Sequence, residues 1–279
     1  MLCLTPRPPP GRRPAPRQTG LNIWSGRRCS LTGFPGFQLT IVRHHKIVFT
    51  GAYGLANVEN SVPMTDQTIF RINSMSKAFT GVAAMQLVEA GKLNLDAPLS
   101  GYLGGLLTSW QNITVRQILT HTSGLPEIVD DNVRLIGDGT AEGAWAKVQT
   151  LPLQFAPGTQ FAYTQTNYVV MGKIIAKLTG ETFASFVQQR QFDVVAMKGT
   201  SYGDSTDVTP RVASLGWPVM RRSSHRAITP VGGERFTVFV YPDDDLKIIV
   251  LTNLMGGSPQ TFVDKIASLY IAGLPVKVE

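Results

Sequence analysis

The sequence predicts an α+β fold, one antiparallel sheet covered by helices, and three observations lead there. A strand hairpin reads near residue 40, a second reads near residue 245, and the stretch between them carries mainly helix signals. Hairpins pair strands antiparallel, and strands grouped at both ends of a helical stretch indicate one mixed layer architecture, not a βαβ repeat.

The elements follow in chain order. Phe37, Leu39 and Ile41 alternate with Gln38 and Thr40, the period of a half-buried strand. A short turn at His44–His45 leads into the apolar run KIVFTGAYG from Lys46, which closes the first hairpin. Residues 78–90 (AFTGVAAMQLVEA) are apolar nearly all round and stop at Gly91, so they predict a buried helix. Thr114 with Gln117 three residues later predicts a capping box on a short helix ending near His121. Val169, Val170, Ile174, Ile175 and Leu178 trace one helical face that ends at Gly180. FTVFVY and LKIIVLT flank Pro242-Asp243-Asp244-Asp245, a second hairpin with both faces apolar. Ser258-Pro259 then opens a final helix through Phe262, Val263, Ile266 and Leu269, with Gly273 after it. No internal repeat is present.

Composition narrows the function classes. The 279 residues are 43% hydrophobic and 16% charged, the balance of a chain that buries a core. No run approaches eighteen consecutive apolar residues, so a membrane-spanning helix is not expected. The formal charge of +7 resides almost entirely in residues 1–30, which hold six arginines and no acid; residues 31–279 keep only +1. A nucleic-acid partner is therefore not expected for the folded part. Six of the eighteen prolines crowd the same tail, which reads as disordered or polyproline-like, followed by one domain over residues 31–279. Cys3 and Cys29 both lie in the tail, so the domain has no disulfide and no thiol chemistry. No apolar run of the secretory kind follows Met1, and the compartment stays open. The four histidines and the Asp243–Asp245 turn show no metal-ligand spacing, and no cofactor is implied.

Chemistry concentrates in FRINSMSKAFTG, residues 70–81. Ser74 precedes the predicted helix and Lys77 follows one turn later on the same face. A serine at a helix N-terminus sits in the positive end of the dipole, where its own N–H can face a developing oxyanion. A lysine desolvated by an apolar helix can be neutral often enough to take the serine proton. About one Ser-x-x-Lys is expected by chance in a chain this long, so the pair acquires meaning only from its context.

That context resembles the serine β-lactamase and penicillin-binding-protein superfamily, in particular the class C-like, β-lactamase-related serine hydrolases. The resemblance runs from FPGFQLTIV through TIFRINSMSKAFTG, TVRQILTHTSGLP and FAPGTQFAYTQTNYVVMGKIIAKLTG, and resumes at YPDDDLKIIVLTN. It implies a β-lactamase/transpeptidase-like fold, with Ser74 as the acyl-accepting nucleophile and Lys77 as its base. The superfamily's Tyr-x-Asn motif falls on Tyr163-Thr164-Gln165, where Tyr163 would relay protons and Gln165 offers the same amide on a longer stem. His121 ends a helix in this pattern and is not assigned a catalytic role. Family habit points to a periplasmic or secreted setting.

Two departures bear on substrate and activity. The third motif, ordinarily Lys-Thr-Gly or His-x-Gly, matches Thr229-Pro230-Val231-Gly232-Gly233. Gly232 and Gly233 would still bring a backbone N–H to the oxyanion, but Pro230 supplies neither a polar side chain nor an N–H. Pro230 follows Tyr163 by only 67 positions, which implies a shortened helical region. The expectation is a hydrolase that acylates Ser74 with a small ester, amide or peptide. The alternative is a catalytically impaired relative that binds a ligand or partner; oligomeric state is not readable.

Overall fold

The computed structural model describes residues 35–57, 60–70, 72–131, 134–202, 219–222, 225–228, 236–252 and 263–274. The tail at residues 1–30, residues 203–218 of the stretch 201–218 that the sequence reads as shortened, the third-motif segment with Pro230, Gly232 and Gly233, and Ser258–Phe262 lie outside them. The chain divides into two compact units: Met1–Ser76 with Asp204–Glu279, and Lys77–Gly203.

The first unit is the sheet. Its strands are β1 (Gly36–Arg43), β2 (Lys46–Asn57), β3 (Val62–Pro63), β4 (Val219–Arg222), β5 (His225–Ile228), β6 (Phe236–Tyr241) and β7 (Leu246–Thr252). They pair antiparallel in the order β3-β2-β1-β7-β6-β5-β4. The two hairpins expected from sequence meet at β1 and β7, in the register Phe37↔Thr252 through Arg43↔Leu246. The β1–β2 connection turns on His44 and His45, both at positive φ, which matches the right-handed twist of the strands it joins. Alternate residues Phe37, Leu39 and Ile41 of β1 and Leu246, Ile248 and Val250 of β7 are buried on one face. That face packs with Val263, Ile266 and Ala267 of the helix Val263–Ala267. Ile41 and Ile248 are fully enclosed, so truncating either to Ala costs about 2–5 kcal/mol.

The second unit is helical: α1 (Ser76–Glu89, which begins one residue before the unit), α2 (Val115–Leu119), α3 (Ala141–Val148), α4 (Gln165–Thr179) and α5 (Phe183–Val187). Trp110, Ile113, Ile118, Leu125, Val170, Met171, Ile174 and Ile175 form its core. The capping box on α2 is present in full: Gln117 N–H donates to Thr114 Oγ1 at 3.2 Å, and Thr114 N–H donates to Gln117 Oε1 at 2.9 Å. Helix α4 ends at Gly180 in the left-handed region, as expected, but starts four residues before Val169, capped by Thr164. Helix α1 departs from the expectation of burial all round. Ala83, Ala84 and Leu87 are buried, whereas Val82 and Met85 stand about half exposed. Small alanines beside Leu87 let one face approach its neighbours closely, and Val82 and Met85 take the outer side. Helix α3 has no counterpart among the sequence expectations; Thr140 caps it and Glu142 complements its first turn.

Candidate active site

The site in the helical unit is built on one loop. After α2 the chain leaves the helix at His121, whose φ of 57° is left-handed, and runs through His121-Thr122-Ser123-Gly124-Leu125-Pro126-Glu127. The carbonyls of this loop template the later segment 154–165. Gln154 N–H donates to Gly124 O at 2.8 Å, Gly158 N–H to Thr122 O at 2.7 Å, and Ala162 N–H to His121 O at 3.0 Å. Gly124 has φ 73°, and a Cβ there would lie 2.2 Å from Phe155 O, so the close approach of the two segments requires glycine. Further along, Thr164 N–H donates to His121 Nδ1 at 3.3 Å and Thr166 Oγ1 to Pro126 O at 2.5 Å. Gln165 N–H is shared between both carboxylate oxygens of Glu127, each at 3.0 Å. Tyr163 and Gln165 are thereby fixed at the mouth of α4.

Lys77 reaches them from the first turn of α1. Its side chain is 1% exposed. The ammonium Nζ donates to Tyr163 Oη at 2.7 Å and to Gln165 Oε1 at 2.6 Å. It also lies 4.6 Å from the Tyr163 ring centroid and 4.9 Å from that of Tyr168, on α4. Burial drives its pKa down from 10.5 to about 7, against the opposing pull of the Glu127 charge. At neutral pH the amine is therefore partly unprotonated.

His121 backs this arrangement. Its ring is 4.6 Å from that of Tyr163 and 5.3 Å from that of Tyr168. Burial, and then the nearby Lys77 charge, push its pKa down to about 4, so it is neutral at physiological pH. Nδ1 faces both the Thr164 N–H and Asn167 Nδ2, which makes it the acceptor nitrogen and places the proton on Nε2. Asn167 is fully buried and takes the Ser123 hydroxyl on its carbonyl. Burial also pushes the Tyr168 phenol up to about 12, with the Tyr163 phenol adding to the shift.

Of the residues picked out by sequence, Lys77, Tyr163 and Gln165 come together directly. Ser74 lies half-buried in the 3-10 turn Asn73–Met75 that runs into α1. Gly232 and Gly233 fall outside the described residues. Sequence reasoning missed Glu127, Asn167 and Tyr168. The signal for Glu127 is faint: an acid three positions after the loop glycine Gly124, with its partner 38 positions away.

A family model described as Beta-lactamase matches residues 29–216. The chain belongs to the beta-lactamase family. Among curated relatives, this beta-lactamase-family chain is 27% identical to Protein flp of Staphylococcus aureus (strain MW2) over 173 residues, which is 60% of the chain and 35% of flp. It thus spans about a third of that relative's length. Among solved structures, its fold is similar to a penicillin binding protein from Bacillus halodurans, with TM-score 0.69 and 21% identity, covering 86% of this chain and 97% of that one. It is also similar to the D-amino acid amidase from Ochrobactrum anthropi SV3 complexed with L-phenylalanine amide, with TM-score 0.63 and 18% identity, covering 80% and 88% respectively. The fold is accordingly β-lactamase/transpeptidase-like, of the α+β class. Membership of the family supports serine-hydrolase-type activity in general. Among the described residues no helix is long and apolar enough to cross a membrane.

Proposed function

We propose that the protein is a serine hydrolase that forms an acyl-enzyme on Ser74 and cleaves small neutral esters or amides. The observation that carries this reading is the buried Lys77 amine, donating to Tyr163 and Gln165 one turn of chain beyond Ser74, with its pKa near 7. A neutral amine has two N–H groups and one lone pair. With the two N–H groups directed at Tyr163 Oη and Gln165 Oε1, the lone pair is the proton acceptor. In acylation, Ser74 Oγ bonds to the acyl carbon, its proton passes to Lys77, and the departing alkoxide or amine takes a proton through the Tyr163 phenol. Water then adds to the acyl carbon, the same groups run the transfer in reverse, and an acid is released while Ser74 regains its hydrogen.

Substrate preference follows from Pro230. A β-lactam, or a peptide ending in a carboxylate, needs a cation or hydrogen-bond donor to hold that carboxylate. Such a charge-assisted bond is worth about 1.5–3 kcal/mol, or roughly 10- to 150-fold. Pro230 offers neither, so neutral acyl groups are favoured.

The test is kcat/KM for a p-nitrophenyl ester and for nitrocefin, measured across pH 5–9 on wild type, Ser74→Ala and Lys77→Ala. The expected result is ester turnover that rises with pH through about 7 as Lys77 loses its proton. Both alanine variants are expected to lose it. Efficient nitrocefin turnover would overturn the substrate assignment, and wild-type turnover by Ser74→Ala would overturn the nucleophile.

A further inference from the structure

Glu127 is the one carboxylate whose charge acts on Lys77 among the described residues, and it also makes a specific contact. Both of its oxygens face the Gln165 N–H at 3.0 Å, and Oε1 additionally accepts the Ile128 N–H at 2.8 Å, which pins the carboxylate against the loop. Gln165 is the first residue of α4, and its own side-chain carbonyl is one of the two acceptors of Lys77 Nζ. A continuous line therefore runs from the Glu127 carboxylate through the Gln165 backbone and amide to the Lys77 amine.

We propose that Glu127 is a positioning residue for Lys77, holding Gln165 where its amide aims the amine and opposing, with its own negative charge, the loss of positive charge at Nζ. The role rests on the hydrolase reading of the site and deepens it. Burial alone would drive the lysine to a lower pKa than the site shows; Glu127 counteracts burial and leaves the amine able both to accept and to release a proton near neutrality. Among the described residues, the other groups placed against Nζ do not supply such a charge. Tyr163 and Tyr168 are phenols, Tyr168 is pushed up to about 12, and His121 is pushed down to about 4, so neither Tyr168 nor His121 carries charge near pH 7.

The charge and the contact separate in two variants. Glu127→Gln keeps an acceptor oxygen for the Gln165 N–H and removes the charge. Glu127→Asp keeps the charge and withdraws it from Gln165 by one methylene. Two readouts are taken on each: the pH dependence of kcat/KM for the ester, and the titration midpoint of the Lys77 resonance in protein carrying 13C-labelled lysine, assigned by its absence in Lys77→Met. Removing a nearby negative charge makes Lys77 easier to deprotonate. For Glu127→Gln both midpoints are therefore expected to fall by about half a pH unit or more. Glu127→Asp is expected to keep the wild-type midpoint while kcat drops about tenfold from the loosened amide. A Glu127→Gln midpoint unchanged from wild type overturns the proposal. A Glu127→Gln protein that does not fold overturns it as well, because the carboxylate is then a helix cap first. If the wild type shows no ester turnover, the hydrolase reading fails on that result alone, and the lysine resonance still decides the effect of Glu127.

Discussion

Replacing Lys77 with Met is expected to make the protein more stable while abolishing turnover. A buried lysine whose pKa is held at about 7 instead of 10.5 is penalised, in its charged form, by roughly 5 kcal/mol relative to the unfolded chain. The sign follows from proton counting. Between pH 7 and 10.5 the unfolded state binds the lysine proton and the folded state does not, so stability rises with pH across that window. Below pH 7 both states are protonated and the penalty is present in full. Methionine has a similar length and no charge to desolvate. Against that gain, Tyr163 Oη and Gln165 Oε1 lose their donor, at about 1 kcal/mol each, part of which solvent restores at the 39%-exposed Tyr163. The net expectation at pH 7 is a gain of about 1–3 kcal/mol, a rise in Tm of several degrees. Urea unfolding of wild type and Lys77→Met at pH 7, 8, 9 and 10 measures it, and the gap between the two proteins should narrow as pH rises. A variant less stable than wild type at pH 7, or a gap that does not change with pH, would refute the reasoning.

Other substitutions probe the loop that positions these groups. Gly124→Ala must place a Cβ against Phe155 O at a left-handed φ, so it is expected to cost about 2–4 kcal/mol by urea unfolding and to lower kcat, because segment 154–165 shifts with it. His121 is neutral in the fold with its pKa near 4 against 6.5, so the stability it contributes is present above pH 6.5 and lost as pH falls to 4, by about 3 kcal/mol. His121→Gln should lack that part of the acid loss, read as the difference between the two unfolding profiles. Tyr163→Phe keeps the ring against His121 and removes the phenol; kcat should fall about 10- to 100-fold, less than for Ser74→Ala, since water replaces a relay better than a nucleophile.

Strands β1, β2, β6 and β7 were legible because their signals are local, whereas β3, β4 and β5 had no counterpart among the expectations. The alternation of Phe37, Leu39 and Ile41 and the turns at His44–His45 and Pro242–Asp245 each announce a strand end within a few residues. How the hairpins join, β1 against β7, is a pairing across some 200 positions that no local pattern carries. Helix α4 shows why the site was harder to read than the core. Its first turn, Gln165, Thr166 and Asn167, is polar, so hydrophobic periodicity starts the helix only at Val169. Thr166 and Asn167 are nevertheless fully buried, held by Pro126 O, Ser123 and His121. Tyr163 and Gln165 were reached through their resemblance to a known motif. Glu127, which lies outside the motif residues quoted for that resemblance, needed the fold to bring it to Gln165.

The most direct measurement of the central claim is covalent. The protein is incubated with a fluorophosphonate, its intact mass is recorded, and the modified peptide is sequenced. The account predicts one adduct per chain, on Ser74, forming faster as pH rises through about 7 and absent from Ser74→Ala and Lys77→Ala. An unmodified chain after prolonged exposure, or an adduct on a residue other than Ser74, would contradict it.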